Sequence, residues 1–204
     1  KKFFSKPGCV AYRLGKEYFP SSKSPIRQDY FETVLKWASE DINNSKDKIR
    51  DFMSINQDNT NASSLKKYFK DVIDWIEKTF INKRDKMKAV PWGSLYNKFK
   101  NHKFDPKKLE NEIEKLFLDD DVDNKAGIYT YVLSREEKFL NLRAFSDQIK
   151  QKAYEKQKGI CRHCKKKFDF SEMDADHIKH WSKGGKSSDP KNCQMLCIAC
   201  NRSG

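Results

Sequence analysis

Cys161-Arg162-His163-Cys164 opens the stretch of sequence that decides the fold, and Cys197-Ile198-Ala199-Cys200 closes it. Each C-x2-C pair can supply two thiolates to one side of a tetrahedral zinc ion. The 32 residues between Cys164 and Cys197 exceed the spacing of a simple zinc ribbon, which predicts a folded insert. We predict that the four cysteines hold a structural zinc ion. A redox dithiol is the weaker interpretation, because two pairs occur together and no thioredoxin-like strand pattern precedes either.

The insert carries a second group of chemically specific residues. It contains Met173-Asp174-Ala175-Asp176-His177-Ile178-Lys179-His180-Trp181-Ser182-Lys183-Gly184-Gly185 and then Asn192-Cys193-Gln194-Met195-Leu196-Cys197, and Cys200-Asn201-Arg202 follows. These residues resemble the HNH endonuclease motif in its four-cysteine, McrA-like form. The resemblance implies a ββα-metal finger, in which an Asp-His-Ile strand, a Gly-Gly loop, a second strand and a short helix build one site.

The resemblance also implies a role for each motif residue. His177 matches the general base, and a neutral imidazole can take a proton from an attacking water. Asp176 and Asn201 match the ligands of a catalytic divalent ion, and such oxygen ligands suit Mg²⁺ or Mn²⁺. Asn192 matches the residue that braces the loop and orients the base. Because neighbouring side chains on a strand point to opposite faces, Asp176 and His177 can serve one site only at a bend or a strand end.

The charge of the chain points to a polyanionic partner. The 204 residues include 42 Lys+Arg and 29 Asp+Glu, so the formal net charge is +13. An excess of this size favours nucleic acid through counterion release, although a Lys-rich surface is also a general solubility device. We predict a DNA partner, with RNA as an open alternative. The residues expected to contact it are Lys179, His180, Lys183, Lys186 and Arg202.

The residues before the zinc region predict a mostly helical domain. Leu65, Phe69, Val72, Ile76 and Phe80 recur at helical spacing, which predicts a helix over about 63–81. Asp105-Pro106 predicts the start of another helix, and the first 23 residues are expected to be irregular. The run Asp119-Asp120-Asp121-Val122-Asp123 begins like a calcium loop but lacks its glycine and glutamate, so we expect an acidic, solvated turn.

A change in residue types near residue 144 predicts two domains. Residues 1–143 would form a helical domain of unknown role, suspected to recognise the target or a partner, and residues 144–204 an HNH nuclease domain with zinc knuckles. The fold class is thus a mainly α region followed by a small α+β ββα-metal domain stapled by a four-cysteine zinc site. More weakly, the helical part resembles segments that precede HNH modules in bacterial restriction and phage-defence proteins with a ParB-like N-terminal domain.

The function implied by the resemblance is metal-dependent hydrolysis of DNA phosphodiester bonds in restriction or phage defence, leaving 5'-phosphate and 3'-hydroxyl ends. The alternative is a non-catalytic zinc module that only binds nucleic acid. Double-strand cleavage by a single site would require two copies, in a homodimer or a larger parent assembly. The longest apolar runs fall far short of the roughly 20 residues that span a bilayer. No apolar run with a small-residue cleavage site is present either, so we expect a cytoplasmic protein without a membrane partner. Whether the chain is a fragment of a longer protein stays open.

Overall fold

The computed structural model describes residues 3–4, 9–19, 28–40, 42, 46–59 and 61–203. Internal contacts divide the chain into two units, one of Lys1–Leu118 with Asn124–Leu140 and one of Asp119–Asp123 with Asn141–Gly204. The predicted fold class is confirmed, because helices dominate the first unit and the second holds a two-stranded antiparallel sheet. The assignment of independent domains to 1–143 and 144–204 stays a prediction. No helix among these residues is long and apolar enough to cross a membrane.

Helices build the first unit. Its apolar core includes Phe69, Val72 and Ile76, which the helix Ser63–Thr79 buries along one face, as the helical spacing predicted. Asp105 caps the helix Pro106–Phe117 through its carboxylate, and Pro106 is the first residue of that helix. The helices are α1 (Val10–Gly15), α2 (Gln28–Ser39), α3 (Lys48–Ile55), α4 (Ser63–Thr79), α5 (Trp92–Phe99), α6 (Pro106–Phe117) and α7 (Gly127–Ser134).

The expectation of an irregular N-terminal stretch is wrong for α1, Val10–Gly15. This helix has six residues, which is too short for an apolar stripe to repeat. Its first turn is closed by the Cys9 sulfur, which accepts the Tyr12 N–H at 3.4 Å. Part of the same stretch, including Pro20 to Lys23, lies outside the residues that the structure describes.

The second unit packs one helix against a small sheet. α8 (Asp147–Gln157) precedes β1 (Met173–His177) and β2 (Cys193–Cys197), and α9 (Ile198–Arg202) follows directly. The two strands are antiparallel, with Met173 opposite Cys197 and His177 opposite Cys193. The core consists of Phe145, Ala153, Cys161, Met173, Cys193, Met195 and Cys197.

The acidic segment Asp119–Asp123 corrects the expectation of a solvated turn. Asp121 is only 2% exposed, and Val122 is 1% exposed. Val122 pairs with Leu142 in an isolated antiparallel bridge, and the Asp121 carbonyl accepts the Arg143 N–H at 2.8 Å. The middle of the segment is therefore buried in the second unit, whereas Asp120 and Asp123 are exposed as expected. Leu118 before the segment and Asn124 after it belong to the first unit.

Candidate active site

The four cysteines predicted to bind zinc converge. The sulfur atoms of Cys161, Cys164, Cys197 and Cys200 all lie within 4.8 Å of one another, and those of Cys164 and Cys197 are 3.9 Å apart. Four sulfurs placed about 2.3 Å from a central zinc ion stand about 3.8 Å apart. The cluster thus has the size and the donor chemistry of a four-cysteine zinc site, which confirms this part of the sequence prediction.

The backbone around Cys161 favours its thiolate form. Burial raises the pKa of the Cys161 thiol, but backbone N–H groups of Cys197, Cys164 and His163 point at its sulfur and lower the pKa to about 6. The Cys197 N–H lies 3.3 Å from that sulfur. Because the thiolate is the form that binds metal, the turn around Cys161 prepares a ligand for zinc.

The carboxylates of β1 lie on one face of the strand, beside β2 and α9. Asp174 and Asp176 are two residues apart, so their side chains share a face. The Asp176 Oδ2 accepts a hydrogen bond from the Gln194 Nε2 at 2.9 Å. The Asn201 Nδ2 on α9 lies 3.5 Å from the Asp174 Oδ2. The structure thus brings Asn201 to Asp174 rather than into direct contact with Asp176.

His177 is the last residue of β1, so it stands at the strand end that a site shared with Asp176 requires. Its ring packs against Phe145 with 4.3 Å between ring centroids, and its Nε2 lies 2.9 Å from the Ser187 Oγ. The Ser187 hydroxyl donates to the Arg143 carbonyl at 2.6 Å. Because the hydroxyl proton of Ser187 is donated to Arg143, the Ser187 oxygen accepts a hydrogen bond from the His177 Nε2–H. The neutral ring therefore carries its proton on Nε2 and leaves Nδ1 as the acceptor.

Ser187 was not found by sequence reasoning, and the acidic segment holds it in place. Ser187 is 4% exposed, and its N–H donates to the Asp121 Oδ2 at 3.1 Å. Asp119 accepts from the Trp181 Nε1 at 3.1 Å and pairs with the Lys186 Nζ at 2.6 Å. Burial raises the pKa of Asp119, but the hydrogen bond from Lys186 and other donors outweighs burial and lowers it. These contacts fix the loop that carries the hydrogen-bond partner of His177.

Asn192 ties the start and the end of this loop together. Asn192 is 7% exposed; its Oδ1 accepts the Lys179 N–H at 2.7 Å, and its Nδ2 donates to the Lys179 carbonyl at 3.0 Å. Gly184 has a φ of +85°, which favours glycine, and a Cβ on Gly185 would stand 1.7 Å from the Lys179 carbonyl oxygen. The Gly-Gly pair is required because the loop backbone closes on itself at this point.

Comparison with known families agrees with this geometry. Residues 161–203 match the family model of the HNH endonuclease. The chain contains an HNH endonuclease domain. The match covers both cysteine pairs, β1, β2 and α9, and it indicates a nuclease that acts on nucleic acid. No curated protein and no solved structure matches the chain, and the suspected ParB-like relation of the N-terminal part finds no support.

The surface residues predicted to bind nucleic acid divide into two groups. Lys179, His180, Lys183 and Arg202 are exposed on the HNH domain. The His180 Nδ1 lies 2.9 Å from the Ser182 Oγ. Lys186 is different, because its ammonium group is already paired with Asp119 and its side chain is only 44% exposed. Its charge is partly neutralised within the domain, which weakens it as a phosphate ligand.

Side chains with oxygen donors lie on β1 and α9 of the HNH domain. Among the residues that the structure describes, the cysteine cluster is the one convergence of three or more His, Cys, Asp or Glu side chains. Asp174, Asp176 and the Asn201 amide oxygen nevertheless form a set of hard donors around β1 and α9, and this set fits Mg²⁺ or Mn²⁺ by its chemistry.

Proposed function

We propose that this chain is a metal-dependent endonuclease that hydrolyses DNA phosphodiester bonds with its HNH domain. The observation that carries the proposal is the arrangement of His177, whose Nε2 is tied to the buried Ser187 while its Nδ1 has no hydrogen-bond partner among the described residues. An imidazole held in one orientation, at the end of the strand that carries Asp174 and Asp176, suits proton transfer. A module that only binds nucleic acid has no need of this arrangement.

In the proposed reaction, the His177 Nδ1 takes a proton from the water that attacks phosphorus. Asp176 and Asn201 would hold the divalent ion, which would supply positive charge to the scissile phosphate and the leaving 3'-oxygen. The bond from phosphorus to the 3'-oxygen breaks, and that oxygen takes a proton from solvent water, so the products carry 5'-phosphate and 3'-hydroxyl ends. Asn192 keeps the loop after His177 in place through the Lys179 backbone, and so keeps the base at the end of its strand.

Asp174 contacts one of the metal ligands that the motif implies. The Asn201 Nδ2 faces the Asp174 carboxylate, so the Asn201 Oδ1 is left to act as a metal ligand. Asp174 shares the face of Asp176, and it either orients Asn201 or joins the ligand set directly. The biological setting that we propose is restriction or phage defence.

Cleavage of supercoiled plasmid tests the proposal. The zinc-loaded chain is expected to nick plasmid DNA with Mg²⁺ or Mn²⁺, to stop after chelation, and to recover when Mg²⁺ is restored to protein that has kept its zinc. Asp176→Ala should lose most of this activity, whereas Asp147→Ala, which removes an exposed carboxylate 95% accessible to solvent, should keep it. A chain that binds plasmid without cutting it would favour the non-catalytic zinc module.

Ser187→Ala is expected to slow cleavage about 10- to 150-fold. The variant removes the oxygen that holds the His177 Nε2–H, and a hydrogen bond to a group that becomes charged contributes about 1.5–3 kcal/mol. Ser187→Thr keeps the hydroxyl and should recover most of the rate. The measurement is the single-turnover rate constant at saturating DNA, with the exposed Ser188→Ala as the control.

A structural effect of Ser187→Ala can be separated from loss of the base's orientation. Nitrogen chemical shifts of the His177 ring report which nitrogen carries the proton. We expect the Nε2–H form in the wild type and a mixture of tautomers in Ser187→Ala. An unchanged tautomer together with a reduced rate would contradict the assigned role of Ser187.

A further inference from the structure

A groove of about 490 Å³ runs along the second unit, between α8 and the edge of β2. Its walls come from α8, the turn that begins at Cys161, the start of β2 with the turn before it, and Ile178. Five of its residues are cationic, and no acidic side chain lines it. The cations are Lys152, Lys156, Arg162, Lys165 and Lys191, all of them exposed.

The groove cations lack the ion pairs that other cations of this unit form. Lys186 pairs with Asp119, and Arg143 pairs with Asp123 at 3.1 Å. Within the described part of the chain, no ion pair joins any of the five groove cations to a carboxylate. Lys152 and Lys156 stand one helical turn apart on α8, where like charges destabilise a helix by a few tenths of a kcal/mol. This uncompensated positive charge fits a polyanion that neutralises it.

The groove reaches the proposed catalytic residues. Gln194 lines it and donates its Nε2 to the Asp176 Oδ2 at 2.9 Å. Ile178, which directly follows His177, lines it as well and is 57% exposed. A strand whose phosphates lie along the groove would therefore pass beside Asp176 and His177.

We propose that this groove binds the phosphate backbone of the nucleic acid next to the cleaved bond. The inference rests on the proposed nuclease function and assigns a surface that none of the four predicted catalytic residues lines. The two glutamines of the groove are already hydrogen-bonded, Gln157 to the Met195 backbone and Gln194 to Asp176. The exposed lysines and one arginine that remain suit contacts that position the backbone and do not read sequence. Such contacts should appear in the salt dependence of binding.

The test measures DNA binding in chains that carry His177→Ala, so that the DNA stays intact. Lys152→Gln, Lys156→Gln and Lys191→Gln are combined, and duplex affinity is measured by fluorescence anisotropy over a series of salt concentrations. The plot of the logarithm of the association constant against the logarithm of salt concentration should become less steep by roughly two to three, with roughly 100-fold weaker binding at about 0.1 M salt. The matched control combines Lys70→Gln, Lys78→Gln and Lys108→Gln, which removes the same charge from exposed positions of the first unit.

The outcomes separate the groove from the nuclease. Equal slopes for the groove variant and the control would contradict the proposal that the groove binds DNA, as would the absence of any DNA binding. Plasmid cleavage by chains with His177 intact is measured separately. If these chains cut DNA but the groove variant and the control show equal slopes, the proposed nuclease function stands and the proposed DNA-binding groove is wrong. Calorimetry with inorganic phosphate completes the test. Phosphate binding that the groove variant abolishes while its DNA binding is unchanged would identify a small-anion pocket and overturn the proposal.

Discussion

His177→Ala is expected to lower the rate of DNA cleavage about 100- to 10,000-fold, because a positioned general base contributes this much to a reaction. The His177 ring also packs on Phe145, and the Ser187 oxygen would lose the donor that faces it. The effect on chemistry should still exceed the effect on folding, since His177 is half-buried and ends its strand. Single-turnover cleavage of plasmid at saturating protein isolates the chemical step.

Two comparisons make the His177 result specific. His102→Ala removes an exposed imidazole from the first unit and should leave cleavage unchanged. Added imidazole should restore part of the activity of His177→Ala, because the small molecule can occupy the space that the ring leaves. If His177→Ala cut DNA at the rate of the wild type while keeping its zinc, the proposed base would be wrong.

Cys197→Ala should abolish zinc binding and unfold the second unit. Structural zinc contributes about 10–16 kcal/mol to folding in small zinc domains, whereas whole domains are stable by about 5–15 kcal/mol. The core of this unit is small and contains Cys161 and Cys197 themselves, so burial of apolar side chains cannot compensate for loss of the ion. Metal analysis should find one zinc per chain in the wild type and far less in the variant.

The same strand provides a matched control for the zinc prediction. Cys193 is as buried as Cys197 and lies four residues before it on β2, but its sulfur is outside the cluster. Cys193→Ala should keep one zinc per chain and lose only about 0.5–3 kcal/mol of stability, as typical single substitutions do. Equal zinc content in Cys197→Ala and the wild type would contradict the assigned cluster.

The sequence predicted those features that short motifs determine. The spacing of the four cysteines predicted a convergence that the structure shows, and the helical stripe of Phe69, Val72 and Ile76 predicted α4. The ββα arrangement was implied by the resemblance to HNH endonucleases, and the family match at residues 161–203 supports it. The roles of Asp176, His177, Asn192 and Asn201 remain predictions that the proposed experiments test.

Other features were beyond sequence reasoning for physical reasons. α7 has Ile128, Tyr129 and Val132 all buried, so no polar face alternates with an apolar one to give a helical period. Ser187 has no motif of its own, since a hydroxyl that orients a histidine is recognised only by its position. Asp121 looked solvated because acidic runs usually are, and its burial depends on a Ser187 N–H located 66 positions further along the chain.

Because Asp119–Asp123 belong to the second unit, the HNH domain cannot be isolated as one short C-terminal fragment without losing contacts. A fragment that starts at residue 144 would omit the carboxylate that accepts the Ser187 N–H, and an orphaned buried amide costs about 1–3 kcal/mol. Grafting the catalytic module onto another protein would therefore require the pentapeptide to be supplied as well. A single continuous fragment therefore cannot contain the second unit without α7, because Asp119–Asp123 precede that helix in the sequence.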